Sequence, residues 1–257
     1  MQALVINMKE SQDRWDFQVK QLQELGISHS RLEAYDLSKL SVEEFERYSQ
    51  SWERPLRKAE VGCFLSHKTA WQRVIKEKKP YLVLEDDVIL SKDTSDILSY
   101  FDQTNDYGLI NLETTHRLKL IGNSKVRINN KYSLRRLLHN KTGSAAYIIW
   151  PSFAKKLLAK YSDQKAALAD AALYTNFFKA KQFQIIPALA VQFQYSEIFS
   201  IESQFKNSSS ISTSPRPRNS SLIFKYRRYQ IQLSIVIVQL INLFSAKYKI
   251  VKFGEND

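Results

Sequence analysis

Three consecutive acids, Glu85, Asp86 and Asp87, interrupt an otherwise apolar segment, residues 81–90, that we predict to be a buried strand. Open α/β sheets bind ligands outside the carboxyl ends of their strands. Adjacent carboxylates repel one another, and hard cations such as Mg²⁺ and Mn²⁺ prefer oxygen ligands, so the cluster favours a metal site. In an extended segment Glu85 and Asp87 point to the same side. Asp87 is therefore predicted to reach the metal, with Glu85 behind or beside it. The acids alone leave a solvated turn at a strand end as the alternative.

Strand and helix signals alternate along most of the chain. Strands are predicted over residues 3–7, 31–36, 81–90, 107–113, 144–150 and 183–189, and helices over 11–25, 41–51, 59–78, 93–104, 168–180 and from Pro151 onward. Ser41, with Glu44 three positions later, predicts a capped helix start. The alternation is typical of an α/β fold with a largely parallel sheet covered by helices on both sides. Residues 115–141 are basic and lack a clear period, so we predict a mobile loop over a site there.

The composition narrows the class of protein. The chain has 257 residues, 44% of them hydrophobic, which is enough for one large α/β domain with a substantial core. Its single cysteine excludes a disulfide framework and favours a reducing compartment. The first ten residues contain neither a basic leader nor a long apolar region, so we expect a first strand and a cytoplasmic protein. The formal net charge of +12 suits nucleic acid, anionic lipid or phosphorylated substrates.

The C-terminal part of the chain differs in composition from the rest. We divide the sequence into a main domain over residues 1–206, a Ser/Pro-rich linker over 207–221 and a basic, apolar tail over 222–257. The apolar stretch 231–244 is 14 residues long, which is short of the ~20 that a spanning helix needs. Basic residues flank it, so we predict an amphipathic segment on an anionic membrane surface. The alternative is a C-terminal helix pair packed on the core or on a second subunit.

Four motifs and one acid occur in an order that resembles a known family. They are "VIN" followed by Arg14, "AEVGCFLSH" at 59–67, "LVLEDDV" at 82–88, "TGSAAYII" at 142–149, and Asp170 in the helix after it. In this order the chain resembles glycosyltransferase family 25, the bacterial lipooligosaccharide glycosyltransferases related to collagen galactosyltransferases. Gln192 and the pair Ser200-Ile201 correspond to a Gln and a Ser-Ile pair of the family's C-terminal half, although the residues between them are irregular here.

The resemblance implies a single-domain enzyme with a GT-A-like, Rossmann-type fold that uses a UDP-sugar and inverts the anomeric carbon. It implies that Asp87 is the ligand of Mn²⁺ or Mg²⁺. It also implies that the uridine lies at the end of the first strand and that His67 hydrogen-bonds a donor phosphate or sugar. A turn residue at Asn7 and a satisfied core histidine at His67 are the structural alternatives. The donor-binding residues implied in this way are Asn7, Arg14, Glu60, Ser66, His67, Glu85 and Asp86.

An inverting transfer also needs a group that removes the proton of the acceptor hydroxyl. Asp170 is the only acid between Asp163 and Glu197, and it is embedded among alanines. We therefore predict Asp170 as the base, with Asp163 and Glu113 as substitutes. The alternative for Asp170 is a first-turn residue favoured by the helix dipole.

These observations predict a peripheral enzyme at the cytoplasmic face of the bacterial inner membrane. It would move galactose, or glucose, from UDP-galactose or UDP-glucose to a lipooligosaccharide acceptor. If the tail packs on a second subunit, the enzyme is a homodimer. A basic nucleic-acid-binding protein is the first alternative, based on charge and abundant aromatic residues, but no nucleic-acid motif occurs. A catalytically inactive relative that acts as a scaffold is the second.

Overall fold

The computed structural model describes residues 1–102, 106–162, 164–174, 181–201, 205 and 221–254. The predicted linker except Ser221, and the substitute base Asp163, lie outside these residues. The helices are α1 (Gln12–Glu24), α2 (Val42–Ser49), α3 (Lys58–Glu77), α4 (Thr94–Asp102), α5 (Pro151–Lys160), α6 (Ala169–Tyr174) and α7 (Leu222–Ile241). The strands are β1 (Gln2–Asn7), β2 (His29–Glu33), β3 (Tyr81–Glu85), β4 (Val88–Leu90), β5 (Leu109–Asn111), β6 (Leu118–Arg127), β7 (Ser133–His139), β8 (Ala146–Ile149), β9 (Gln182–Ile186), β10 (Ala190–Gln192) and β11 (Ala246–Ile250).

Within the described ranges, one nine-stranded sheet has the order β11-β6-β7-β9-β5-β8-β3-β1-β2. β1 runs parallel to both β2 and β3, and β5 runs parallel to β9. β8 lies antiparallel between β3 and β5, and β7 and β11 are also antiparallel to their neighbours. Most strands therefore point the same way, with helices around them. The predicted α/β fold with a mostly parallel sheet is confirmed.

The central strands are buried on both faces because their apolar runs are continuous. In β1, Leu4 packs into one core cluster and Val5 into the other, and in β3 the neighbours Val83 and Leu84 divide in the same way. Alternate side chains of a strand point to opposite faces, so an unbroken apolar run requires cover on both sides. The cover comes from α3 and α5 on one face and from α1 and α4 on the other.

The prediction of a single strand over residues 81–90 was wrong. A turn at Asp86-Asp87 separates β3 from β4, and β4 pairs with β10 in a small second sheet. Side chains of α1 hold the turned backbone: Gln18 Nε2 donates to Asp86 O (3.2 Å) and to Val88 O (2.7 Å). A straight strand would have placed one carboxylate inside an apolar layer, where charge is costly. The turn removes that conflict because the three acids point in different directions.

The prediction of a mobile loop over residues 115–141 was also wrong, because β6 and β7 form an antiparallel pair within the sheet. The outer half of β6 is exposed, and the register between the strands shifts twice, so no simple apolar alternation marks the pair. Lys119 is fully buried in β6. Its Nζ donates to Glu113 O (2.6 Å) and to Gln184 Oε1 (2.7 Å), which satisfies the charged group inside the sheet.

The C-terminal tail is only partly helical. α7 makes most of the predicted amphipathic segment helical, but the following strand β11 pairs with β6 at the end of the sheet. Beyond β11, Val251 is 1% exposed, and its carbonyl accepts a hydrogen bond from Thr114 Oγ1 at 2.5 Å. Ala188 N donates to Lys252 O (2.8 Å). The described residues of the tail from 246 to 252 are therefore joined to the main domain, through β11 and the contacts that follow it. Among the helices in the described ranges, none has the length and apolar character needed to cross a membrane.

Candidate active site

One edge of the sheet collects the polar residues that the sequence singled out. β1, β3 and β5 end there with Asn7, Glu85 and Asn111, and each of these strands points to this edge. β8 runs the opposite way. Ser144, which lies two residues before β8 begins, is therefore at the same edge. This is the location at which open α/β sheets bind ligands.

Asp86 joins the predicted residues Asn7 and Arg14. Asn7 Nδ2 donates to Asp86 Oδ2 at 2.7 Å, and an Arg14 terminal nitrogen lies 3.1 Å from Asp86 Oδ1. Burial raises the pKa of Asp86, while these two donors oppose the rise. Asn7 Oδ1 is buried and has no hydrogen-bond partner among the described residues, so one acceptor remains unused beside the cluster.

Glu85 turns inward, toward α3 and β8. Its Oε1 lies 3.2 Å from His67 Nε2 and accepts a hydrogen bond from Ser144 Oγ at 3.0 Å. Burial raises the pKa of Glu85, but hydrogen bonding and charge from His67, together with Ser144, outweigh it, and the net pKa is lowered. His67 is fully buried, and its Nδ1 lies 2.8 Å from the Tyr147 hydroxyl. His67 is thus a buried histidine with partners on both nitrogens, and one partner is a candidate site acid.

Asp87 points toward the last residue of β10. Gln192 Nε2 donates to its two carboxylate oxygens at 3.3 and 3.1 Å. Burial raises the pKa of Asp87 to about 7, with further contributions from the charges of Glu85 and Asp86, and the Gln192 hydrogen bonds oppose the rise. Asp87 thus carries the least compensated negative charge of the three acids. The family resemblance had pointed to Gln192, but sequence spacing could not place it on Asp87.

Glu60 and Ser66, two predicted donor-binding residues, hold α3 in place. Arg54 donates to both Glu60 oxygens, at 2.9 and 2.7 Å, and Glu60 also accepts from the Arg57 backbone at the start of the helix. Ser66 Oγ donates to Gly62 O (2.7 Å) and accepts from Tyr35 N (2.8 Å). The described contacts of these two side chains are therefore structural, and a direct contact with a donor stays a prediction for both.

The two candidate bases differ in access. Asp170 lies in the first turn of α6 and is half-buried; burial raises its pKa, and hydrogen bonding from Ser144 opposes the rise. Glu113 is fully buried, and its Oε2 accepts from Ala145 N at 2.9 Å. Burial, followed by the charge of Asp170, raises the pKa of Glu113 well above its usual value. An acceptor hydroxyl can therefore reach Asp170 more readily than Glu113.

The Gly-Ser pair of the "TGSAAYII" motif links these acids. Ser144 Oγ donates to Glu85 Oε1 at 3.0 Å, and hydrogen bonding by Ser144 opposes the rise in the pKa of Asp170. Gly143 has a φ of +112°, and a Cβ there would lie 3.3 Å from Glu113 Oε2. The glycine thus supports tight packing under the site. Ser144 and Tyr147 were not predicted as site residues, because a hydroxyl inside an apolar strand motif carries no spacing signal of its own.

The raised pKa of Asp87 predicts a pH-dependent cost to stability. An Asp with a pKa near 3.8 in the unfolded chain and about 7 in the folded one lowers the free energy of unfolding as pH rises from 4 to 7. We expect Asp87→Asn to stabilise the cation-free protein by roughly 2 to 4 kcal/mol above pH 7 and by little near pH 4. Urea unfolding in EDTA across this range measures the difference. Glu46→Gln removes an exposed acid of α2 and is the control. A gain that does not grow with pH would contradict the assignment.

Comparisons with known proteins identify the family of the chain. The chain is 25% identical over 199 residues to the lipooligosaccharide biosynthesis protein lic2B of Haemophilus influenzae, covering 73% of this chain and 74% of that protein. It is 37% identical over 97 residues to human procollagen galactosyltransferase 2, covering 34% of this chain but only 16% of the human protein. A Drosophila β1,4-galactosyltransferase 7 mutant, solved with manganese, UDP-Gal and xylobiose, aligns with a TM-score of 0.39 at 9% identity, over 86% of this chain and 82% of that one. The family model described as glycosyltransferase family 25 (LPS biosynthesis protein) matches residues 1–173, so the chain belongs to this family and is a glycosyltransferase.

Proposed function

We propose that the protein transfers galactose, or glucose, from a UDP-sugar to a lipooligosaccharide acceptor with inversion, and that it requires Mn²⁺ or Mg²⁺. One observation carries the proposal. The three acids at the end of β3 have unequal partners, because Glu85 meets His67 and Ser144 and Asp86 meets Asn7 and Arg14, whereas Asp87 is hydrogen-bonded by the neutral amide of Gln192. Family membership favours the enzyme over the nucleic-acid-binding alternative.

The donor set at Asp87 fits a hard divalent cation. Carboxylate oxygens are the ligands that Mg²⁺ and Mn²⁺ prefer. Repulsion from Glu85 and Asp86 contributes to the raised pKa of Asp87, and a cation there would relieve it. When bound, such an ion supplies positive charge against the negative charge that grows on the departing UDP.

The neighbouring residues suit the rest of the donor. Asp86 is held from two sides by Asn7 and Arg14, so its carboxylate is oriented before any ligand arrives. A fixed carboxylate of this kind can accept hydrogen bonds from ribose or sugar hydroxyls. We therefore place the nucleoside at the end of β1 and the diphosphate near Asp87. The name of the human relative supports galactose as the first donor to test, and that of lic2B supports a lipooligosaccharide acceptor.

Asp170 is the proposed base. It is half-buried and accepts hydrogen bonding from Ser144, which also contacts Glu85, so its position is coupled to the acidic cluster. Its raised pKa suits a carboxylate that accepts a proton as the acceptor oxygen attacks. These acids are intact, which argues against the inactive scaffold.

The cation requirement is tested by ligand-induced thermal stabilisation. UDP should raise the melting temperature of the wild-type protein in Mn²⁺ and much less in EDTA, because the diphosphate meets uncompensated acids when no cation is present. Asp87→Asn should lose most of the Mn²⁺-dependent part and nearly all UDP-galactose hydrolysis. Glu46→Gln should match the wild type in both measurements. An active Asp87→Asn enzyme would assign the cation to another residue.

The role of Asp170 is tested by separating turnover from binding. Asp170→Asn keeps the shape of the side chain but removes the group that accepts the proton. We expect the rate constant of transfer to fall by about 100-fold or more. The dissociation constant of UDP in Mn²⁺ should stay within twofold of the wild-type value. Single-turnover transfer and titration calorimetry measure the two quantities. Loss of UDP binding together with turnover would move Asp170 from the acceptor side to the donor side.

We also propose that α7 rests on the anionic inner face of the bacterial inner membrane, in the cytoplasm. Phe224 is buried, and Arg227 donates to the backbone oxygens of Gln50 and Trp52, so the start of α7 is fixed to the protein. A long apolar surface of α7 and the turn after it remains exposed. It consists of Leu222, Ile223, Tyr226, Tyr229, Leu233, Val236, Ile237, Leu240, Ile241, Leu243 and Phe244. Basic residues flank this surface, which suits anionic lipid.

The membrane proposal is tested with point variants, because removing the tail would also remove β11 from the sheet. Leu243 is 63% exposed and Phe244 is 92% exposed, so the double change to serine should leave the fold intact. We expect it to reduce recovery on phosphatidylglycerol vesicles several-fold. Val42→Ser alters an exposed residue of α2 and is the control. Unchanged recovery of the double variant on vesicles would end the membrane proposal. If the wild type is a dimer and the double variant is a monomer, the surface is a subunit interface instead.

A further inference from the structure

A cysteine, a histidine and a glutamate lie together beside the acidic cluster. The Cys63 sulfur, a ring nitrogen of His67 and a carboxylate oxygen of Glu85 are all within 4.8 Å of one another. Cys63 and His67 are four residues apart in α3, so they share one face of the helix, and Glu85 faces them from the end of β3. This group is distinct from the set around Asp87, although Glu85 lies next to both.

The ligand types at this group differ from those of a magnesium or manganese site. Sulfur and imidazole ligands select Zn²⁺ and related ions, whereas Mg²⁺ and Mn²⁺ prefer oxygen. Two ligands spaced i, i+4 on one helix, joined by a third from elsewhere, are a recurrent zinc arrangement. His67 Nε2 and Glu85 Oε1 are already 3.2 Å apart. Two such atoms on one tetrahedral zinc ion, each at about 2.0 to 2.1 Å, are separated by about 3.3 Å.

We propose that Cys63, His67 and Glu85 form a second cation site, which binds thiophilic divalent ions such as Zn²⁺ and Co²⁺. The ion can enter from solvent, because the side chains of Cys63 and Glu85 are both partly exposed. The histidine is already oriented, since its Nδ1 contacts the Tyr147 hydroxyl, which also accepts a hydrogen bond from Trp71 Nε1 at 3.0 Å. Supporting contacts of this kind fix the ring and the tautomer of metal-binding histidines.

Binding proceeds with a defined proton balance. Burial, with the charges of Glu85, Asp170, Asp87 and Glu60, raises the pKa of the Cys63 thiol, so the free protein carries the thiol form. The incoming ion takes the sulfur as thiolate and the lone pair of His67 Nε2. The thiol proton leaves to solvent, and the Nε2 proton that faces Glu85 leaves to solvent or passes to Nδ1, so that the bound imidazole is neutral and donates from Nδ1 to the Tyr147 hydroxyl. The negative charges that disfavour the free thiolate are the same charges that attract a divalent cation. An ion held by Glu85 would also compete with the contacts that Glu85 makes to Ser144 and His67.

A consequence for turnover rests on the proposed function. With Glu85 held by Zn²⁺ beside Asp87, the Mn²⁺-supported transfer should be inhibited by Zn²⁺. The rate of each variant in Zn²⁺ is divided by the rate of the same variant without Zn²⁺, so a change in basal activity does not affect the comparison. Cys63→Ser should require at least tenfold more Zn²⁺ for the same fractional inhibition.

The site itself is tested by Co²⁺ titration of the intact, phosphine-reduced protein, followed by absorbance. A thiolate bound to Co²⁺ gives a charge-transfer band, and Cys63 is the single cysteine of the chain, so the band has one source. We expect the band in the wild type, its loss in Cys63→Ser, and at least tenfold weaker Co²⁺ binding in Glu85→Gln. Asp87→Asn should keep the band. Circular dichroism checks that each variant is folded, and Cys63→Ala is the second variant if the serine disturbs packing.

Two results would overturn the proposal: a wild-type protein without the band, or Glu85→Gln binding Co²⁺ as tightly as the wild type. This test is separate from that of the proposed function. A missing band with intact Mn²⁺-dependent UDP stabilisation removes the second site alone. A normal band without UDP stabilisation removes the proposed function alone.

Discussion

Repulsion among three consecutive carboxylates at the end of a buried strand is the constraint on which the arrangement of the site depends. Charge is costly inside an apolar sheet, and like charges on neighbouring residues add to that cost. The chain resolves the conflict by ending β3 at Glu85 and turning at Asp86 and Asp87. Each carboxylate then meets a different part of the fold. Glu85 faces α3, Asp86 faces α1, and Asp87 faces the end of β10.

The surrounding elements hydrogen-bond the backbone and the acids of this turn. Gln18 and Gln21 of α1 hydrogen-bond the backbone around it, and Arg14 of the same helix meets Asp86. Pairing of β4 with β10 brings Gln192 to Asp87. The inserted antiparallel strand β8 delivers Ser144, which a parallel strand in that place would have put at the opposite edge. The site is therefore assembled from distant segments because each supplies a donor to a different acid.

Sequence patterns predicted the parts that depend on local rules. Continuous apolar runs gave β1 and β3, and Ser41 with Glu44 gave the helix start, where both hydrogen bonds of the capping box are present. Patterns failed where distant partners decide the structure. β6 contains a buried lysine, Lys119, that is satisfied only by Glu113 and Gln184, so its segment looked like a polar loop. The strand β11 forms by pairing with the otherwise unpaired side of β6. Residue type and motif order pointed to the three acids and to Asp170 as candidates, whereas the partners of Gln192 and Ser144 follow only from the fold.

The charge distribution connects the site to its surroundings. The chain carries a formal net charge of +12, which attracts anionic lipid and phosphorylated ligands over long distances. At short range the sign reverses: in the proposed binding mode a diphosphate at the end of β3 would meet Asp87, whose hydrogen-bond partner is the neutral amide of Gln192. In that mode, positive charge at Asp87 would be needed before the long-range attraction could end in binding. The proposed function therefore makes donor binding and cation binding mutually dependent, because the acidic cluster would repel a diphosphate leaving group unless a cation is bound.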